Sequence, residues 1–220
     1  MINSLFQKLT STVMRRPNHM PLSEELKHIF EKFGEGIYLI NIKSEPGLFG
    51  TLVGLFNANY SHTVLVYYHP DLAQQFDYTQ WKKVIASLRK YYHDARTYMI
   101  KALVLSNATA SGIVCCDLSV YNDRTMTIRR LPMTTAQQRM VVSYMVDRIG
   151  YPYDVTGLMG WLFKKWNDPD AYFCSEICYN ACICAGFSIA EGPNPSPLEI
   201  ELYCSVADHT WDKYIYRGMS

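Results

Sequence analysis

Cys174, in the stretch DAYFCSEICYNA, stands where a helix is expected to begin. A thiol in a first helical turn sits among unsatisfied N–H groups, where the macrodipole favours negative charge. That setting lowers a cysteine pKa and yields a thiolate near neutral pH, the form that attacks carbonyl carbon. Tyr172 and Phe173 can anchor the approach to the helix, and Ser175 and Glu176 suit its first turn. A buried structural cysteine, like Cys178 and Cys182 beyond it, is the competing reading.

A thiolate of this kind needs a base. Among the six histidines, His62 heads the apolar run HTVLVYY, where a rigid strand can hold its imidazole. His28 falls on the polar side of a helix, His93 at a helix end and His19 in a hinge. His69 precedes Pro70 in a turn and His209 lies in the tail. The competing reading of His62 is a satisfied core histidine.

Composition bounds the setting for this pair. A hydrophobic share of 49% with even charge, 21 basic against 20 acidic residues, describes a packed globule and argues against a nucleic-acid partner. No apolar run approaches the ~20 residues of a membrane-spanning helix. Residues 1–16 carry Leu5, Phe6, Leu9 and Val13 at helical spacing with Arg15 and Arg16 behind. They read as an amphipathic helix that packs on the body or touches a membrane surface, and lack the layout of an export signal. A reducing, cytoplasmic setting is therefore expected, consistent with an odd count of seven cysteines. Cys174, Cys178 and Cys182 recur every fourth residue along one helix, so they cannot all reach one zinc ion at about 2.3 Å. Neither a metal nor another cofactor is expected.

The elements follow from periodicity and punctuation. RRPNHMPLS marks a hinge, dividing an N-terminal segment, 1–21, from a body, 22–220. Ser23 caps a helix with Leu26, Ile29, Phe30 and Phe33 on one face, closed by Gly34 and Gly36. GIYLINI, HTVLVYY, YMIKALVL, GIVCC and TMTIRR read as strands, and SNATAS (106–111) as a polar turn. GLFGTLVGLFN, 47–57, reads as a short helix. Asp77 opens a helix with Trp81, Val84, Ile85, Leu88 and Tyr92 on one face. Thr134 and Gln137 form a capping box for another, with Ala136, Met140, Val141, Tyr144, Met145 and Ile149 inward. A Gly- and Tyr-rich link leads to the Cys174 helix, which Gly186 stops. Pro193, Pro195 and Pro197 make the tail irregular before a final strand. Helices with a mostly antiparallel sheet define an α+β fold.

Taken in order, these residues resemble the circularly permuted NlpC-type cysteine peptidases, papain-like amidases in which histidine precedes cysteine. The resemblance is carried by Tyr60-Ser61-His62 before a β-run and by Asn107-Ala108-Thr109-Ala110-Ser111-Gly112. Arg130-Leu131-Pro132 before a helix, Tyr153-Asp154 in the link and Phe173-Cys174-Ser175-Glu176 complete it. It spans roughly residues 36 to 200. It implies a papain-like core of antiparallel sheet packed against helices, Cys174 as nucleophile and His62 as base. Asn107 falls where relatives place a glutamate that fixes the imidazole tautomer; an amide can fill that role, as can Ser106 or Thr109 beside it. Alternatively, Asn107 is a plain turn residue. Tyr60 and Tyr153 can line the cleft, Asp154 can cap a following helix, and the Cys174 amide is the expected oxyanion donor. The implied reaction is hydrolysis of an amide, in bacterial cell-wall peptides or in amino-acid or lipid amides. Acyl transfer of the lecithin retinol acyltransferase type is one alternative, favoured by the apolar stretches GLFGTLVGLF and GLMGWLF. A catalytically silent interaction or virion module is the other, favoured by asparagine at position 107.

Overall fold

A computed structural model of the chain describes residues 21–43, 60–89, 100–109, 112–152, 173–207 and 213–218. The N-terminal amphipathic segment, the 47–57 stretch and the link with Tyr153 and Asp154 lie outside the described residues.

The order is α1 (Glu24–Phe33), β1 (Gly36–Lys43), β2 (Tyr60–Tyr68), α2 (Tyr78–Leu88), β3 (Ala102–Thr109), β4 (Gly112–Asp117), β5 (Thr125–Arg130), α3 (Thr135–Asp147), α4 (Cys174–Cys184), α5 (Pro197–Ala207) and β6 (Lys213–Arg217). The strands form one sheet in the order β4-β3-β2-β1-β5-β6, with every pairing antiparallel. The α+β class holds.

Alternation along the strands builds two cores. Tyr38, Ile40, Val64, Val66 and Ile128 face α1, whose Leu26, Ile29 and Phe30 cover them. Ile37, Leu39, Leu65, Leu103 and Cys115 face the opposite layer, where α2, α3, α4 and α5 pack. The expected caps form: Ser23 Oγ accepts from Leu26 N, and Asp77 and Thr134 each make a reciprocal capping box.

Three expectations need correction. SNATAS is not a turn from its first residue, because β3 continues through Thr109, with a register irregularity between Val104 and Asn107. Pairing with GIVCC keeps these polar residues in the ladder. In α3 the buried stripe is Val141, Val142, Met145 and Val146; Tyr144 and Ile149 pack against the core as expected, partly buried, whereas Ala136 and Met140 are exposed. Gln137 Nε2 donates to the Ala185 carbonyl at 3.2 Å, tying the start of α3 to the end of α4. The tail folds as helix α5 before its strand. Ser196 and Glu199 form the capping box that starts it, with Pro197 inside the first turn.

A buried ion pair holds α5 to the sheet. Arg129 on β5 grips the Glu201 carboxylate with both terminal nitrogens, and its Nη2 also donates to Ser205. Burial opposes the Glu201 charge. Hydrogen bonds from Arg129 and Asn41, with the Arg129 and Lys213 charges, outweigh it and hold the carboxyl below its ordinary value. A carboxyl depressed in the folded state stabilises above its unfolded pKa, and that contribution disappears as pH falls through the folded value. Melting temperature should therefore fall below about pH 4.5 in the parent. Glu201→Gln should melt lower at pH 7 and lose that acid-dependent segment, as thermal scans at several pH values would show.

Gly112 opens β4 at φ +101, and a Cβ there would drive into the Tyr151 carbonyl oxygen. That carbonyl accepts from Ile113 N, tying the end of α3 to the sheet. Gly112→Ala should cost at least about 2 kcal/mol in urea unfolding, from backbone strain and the clash together.

Candidate active site

The start of α4 meets the end of β2. Cys174 is the first residue of its helix, behind Phe173 in extended conformation. The Phe173 N–H donates to the Glu176 carboxylate at 3.3 Å, which fixes the entry of the chain. Phe173, Cys174, Ser175 and Glu176 are all buried. His62 lies third in β2 and half-buried, two residues further in than the strand head expected for it.

The pairing slips beside it. Ile42 of β1 pairs with His62 and Lys43 with Tyr60, so Ser61 is an extra residue. Ile42 belongs to the α1-side core, and the ring of Tyr121 in that core lies 6.2 Å from the His62 ring. A bulge adds twist and re-aims a side chain. Here it lets a residue in register with one core meet a thiol brought by a helix of the other.

The Cys174 thiol is hydrogen-bonded to the His62 side chain and to the main chain of Thr63 and Ser175. Burial pushes its pKa up. The His62 charge, the His62 hydrogen bond and the two main-chain bonds push it down, and the net direction is below the ordinary thiol value. Elsewhere burial prevails: it alone pushes Cys115 up to about 12, at Cys204 it outweighs the nearby Arg129 charge and the thiol again rises to about 12, and at Cys182 burial and the neighbouring thiols raise it together. Cys174 differs from these in its partners, not in its burial.

The structure thus brings together Cys174 and His62. Asn107 is a strand residue of β3, paired with Val114 of β4, and its side chain lies outside the described residues. The same holds for the side chains of Ser106, Thr109 and Tyr60. Cys178, one turn along α4, points its sulfur to the Thr63 carbonyl at 3.6 Å. Among the described residues no three metal-binding side chains converge, and no helix is long and apolar enough to cross a membrane. Ser175, next to Cys174 in the chain, has a buried Oγ with no hydrogen-bond partner among the described residues.

Three residues near the site escaped the sequence reading: Asn41, Thr63 and Tyr121. Asn41 and Thr63 are polar residues at inward positions of otherwise apolar strands, and that break in the pattern was the available signal. Tyr121 gave none, being one of seventeen tyrosines.

Comparison of the chain with protein-family models, curated proteins and solved structures yields no match.

A lowered thiol pKa predicts selective chemistry. Iodoacetamide at pH 6 should label Cys174 ahead of the other six cysteines, including the exposed Cys184, as peptide mass spectrometry would read out. Equal labelling of Cys174 and Cys184 at that pH would rule out an activated thiolate.

Proposed function

We propose that the chain is a cysteine hydrolase that cleaves an amide through a Cys174 thioester. The observation that carries this reading is the hydrogen bond between the Cys174 thiol, at a helix start, and the His62 imidazole. The ordered resemblance to the circularly permuted NlpC-type peptidases agrees with it, and so does a helix packed on an antiparallel sheet.

The chemistry follows from the groups present. His62 takes the thiol proton, and the helix-start N–H groups stabilise the thiolate left behind. The thiolate attacks the substrate carbonyl, and the amide N–H of Cys174 is the donor proposed for the tetrahedral oxyanion. Protonated His62 then gives its proton to the departing amine, leaving a thioester on Cys174. Water, deprotonated by His62, attacks the thioester, and the thiolate leaves as the acid is released. Asn107 is the proposed orienter of the imidazole, since its strand lies directly beside β2 in the sheet. Peptide amides such as those of bacterial cell-wall stems, and amino-acid or lipid amides, are the substrate classes that the resemblance implies.

Incubation with peptide and N-acyl substrates, followed by intact-mass measurement, tests the proposal. A covalent acyl adduct should form on the parent and be absent from Cys174→Ala. His62→Ala should lower turnover by at least about 100-fold, and Asn107→Ala by less. Products distinguish hydrolysis from transfer of the acyl group to a second acceptor. If no adduct or product forms with any of these classes, and Cys174→Ala leaves biological function intact, the chain is a silent papain-like module.

A further inference from the structure

A chain of buried polar side chains runs from β5 to Thr63, whose main chain meets the thiol, across the face of the sheet that α4 and α5 cover. Arg129 and Glu201 begin it. Asn41 Nδ2 donates to Glu201 Oε2 at 3.0 Å, and Thr63 Oγ1 donates to Asn41 Oδ1 at 2.7 Å. Asn41 and Thr63 are themselves cross-strand partners, and both are fully buried.

Every donor in this chain has its direction set by its neighbour. An ionised carboxylate only accepts, so Glu201 obliges Asn41 to present its NH2 group. The Asn41 oxygen is then left for Thr63, whose hydroxyl must donate. Thr63 therefore has its side chain fixed on one side while its main chain serves α4. Its carbonyl accepts from Cys178, and its main chain bonds the Cys174 thiol. The described pairs of β2 with β3 run only from Val66–Val104 to Tyr68–Ala102. At Thr63, beyond their end, α4 supplies partners for the strand.

We infer that Thr63 is a positioning residue for the Cys174–His62 pair, held in place by the buried Asn41–Glu201–Arg129 chain. The inference rests on the thiolate reading above and adds what aligns that pair. Thr63 touches no reacting carbon. It fixes the strand residue next to His62 and the main-chain groups that meet two successive turns of α4. Anchoring to a buried, doubly gripped carboxylate gives this alignment a rigid origin two strands away, on α5 and β5. A buried network of this kind has value only when every member is satisfied, and here each link is.

Among the described residues, His62 on β2 is the titratable group that acts on the thiol; Glu176 and Cys178 follow it on its own helix, and the Tyr121 ring lies next to His62. Those of Glu201 are Arg129, Lys213 and Cys204.

The test follows the iodoacetamide labelling rate of Cys174 against pH, with melting temperature measured in parallel. Parent, His62→Ala, Thr63→Val, Thr63→Ser and Glu201→Gln are compared. Valine matches threonine in shape and lacks the hydroxyl, so Thr63→Val should slow labelling at pH 6 roughly three- to tenfold. Thr63→Ser should restore most of the rate. Glu201→Gln, which touches neither the thiol nor His62, should move the pH profile in the same direction. If Thr63→Val or Glu201→Gln lowers the melting temperature but keeps the parental profile, the chain is merely structural and the inference fails. Should Thr63→Val not fold, the Glu201→Gln profile decides on the same criterion. A parental profile identical to that of His62→Ala would overturn the thiolate reading itself, a separate and recognisable outcome.

Discussion

A thiolate inside a protein is expensive unless other groups replace the water it has lost, and the contact between the start of α4 and the bulged end of β2 supplies that replacement. Cys174 is about as buried as Cys115 and Cys204, at 4% exposure against 0% and 2%. Those two thiols are driven up to about 12 because nothing offsets desolvation sufficiently. Cys174 goes the other way because an imidazole and two main-chain groups converge on its sulfur. The site is therefore a matter of placement. A shift of one turn along α4 would present Cys178, whose sulfur meets a carbonyl oxygen, a poor partner for negative charge.

That placement depends on elements distant in the chain. His62 comes early, Cys174 late, and α4 reaches the sheet from the layer opposite α1. Two apolar cores clamp the sheet from its two faces, so the strands cannot shift without exposing one of them. The bulge at Ser61 is a local exception, sited next to the histidine that meets α4. The described sheet departs from regular pairing at this end of β2 and again in β3, between Val104 and Asn107.

The polar chain beneath α5 adds a constraint of another kind. Apolar packing tolerates small rotations, because dispersion is weakly directional. A sequence of hydrogen bonds ending on a doubly gripped carboxylate does not, since each donor has one acceptor at one angle. Removing a single member strands the others without water, which costs far more than an intact link contributes. The fold thereby couples α5, the last helix, to the strand that carries His62, which lies 139 residues before Glu201.

Much of this was legible in the residues. Caps at Ser23, Asp77 and Thr134, five β-rich runs and the stop at Gly186 placed most elements, because these signals are local in physics as well as in sequence. That Cys174 and His62 meet was anticipated too, from a thiol at a helix start and an imidazole held by a strand. The start of α5 was written in Ser196-Pro197 and Glu199, but neighbouring prolines masked it. The rotation of α3 was not legible, since its apolar residues are spread around the helix and packing on the core buries Val142 and Val146 rather than Ala136 and Met140. Nor were the bulge at Ser61 and the chain through Thr63, Asn41, Glu201 and Arg129. A hydrogen bond between residues 160 apart depends on which strands pair and which helix covers them. The sequence by itself determined which groups can carry charge and where helices and strands begin. Only the tertiary structure decided which buried charges meet, because desolvation and Coulomb attraction act through space and take no account of chain separation.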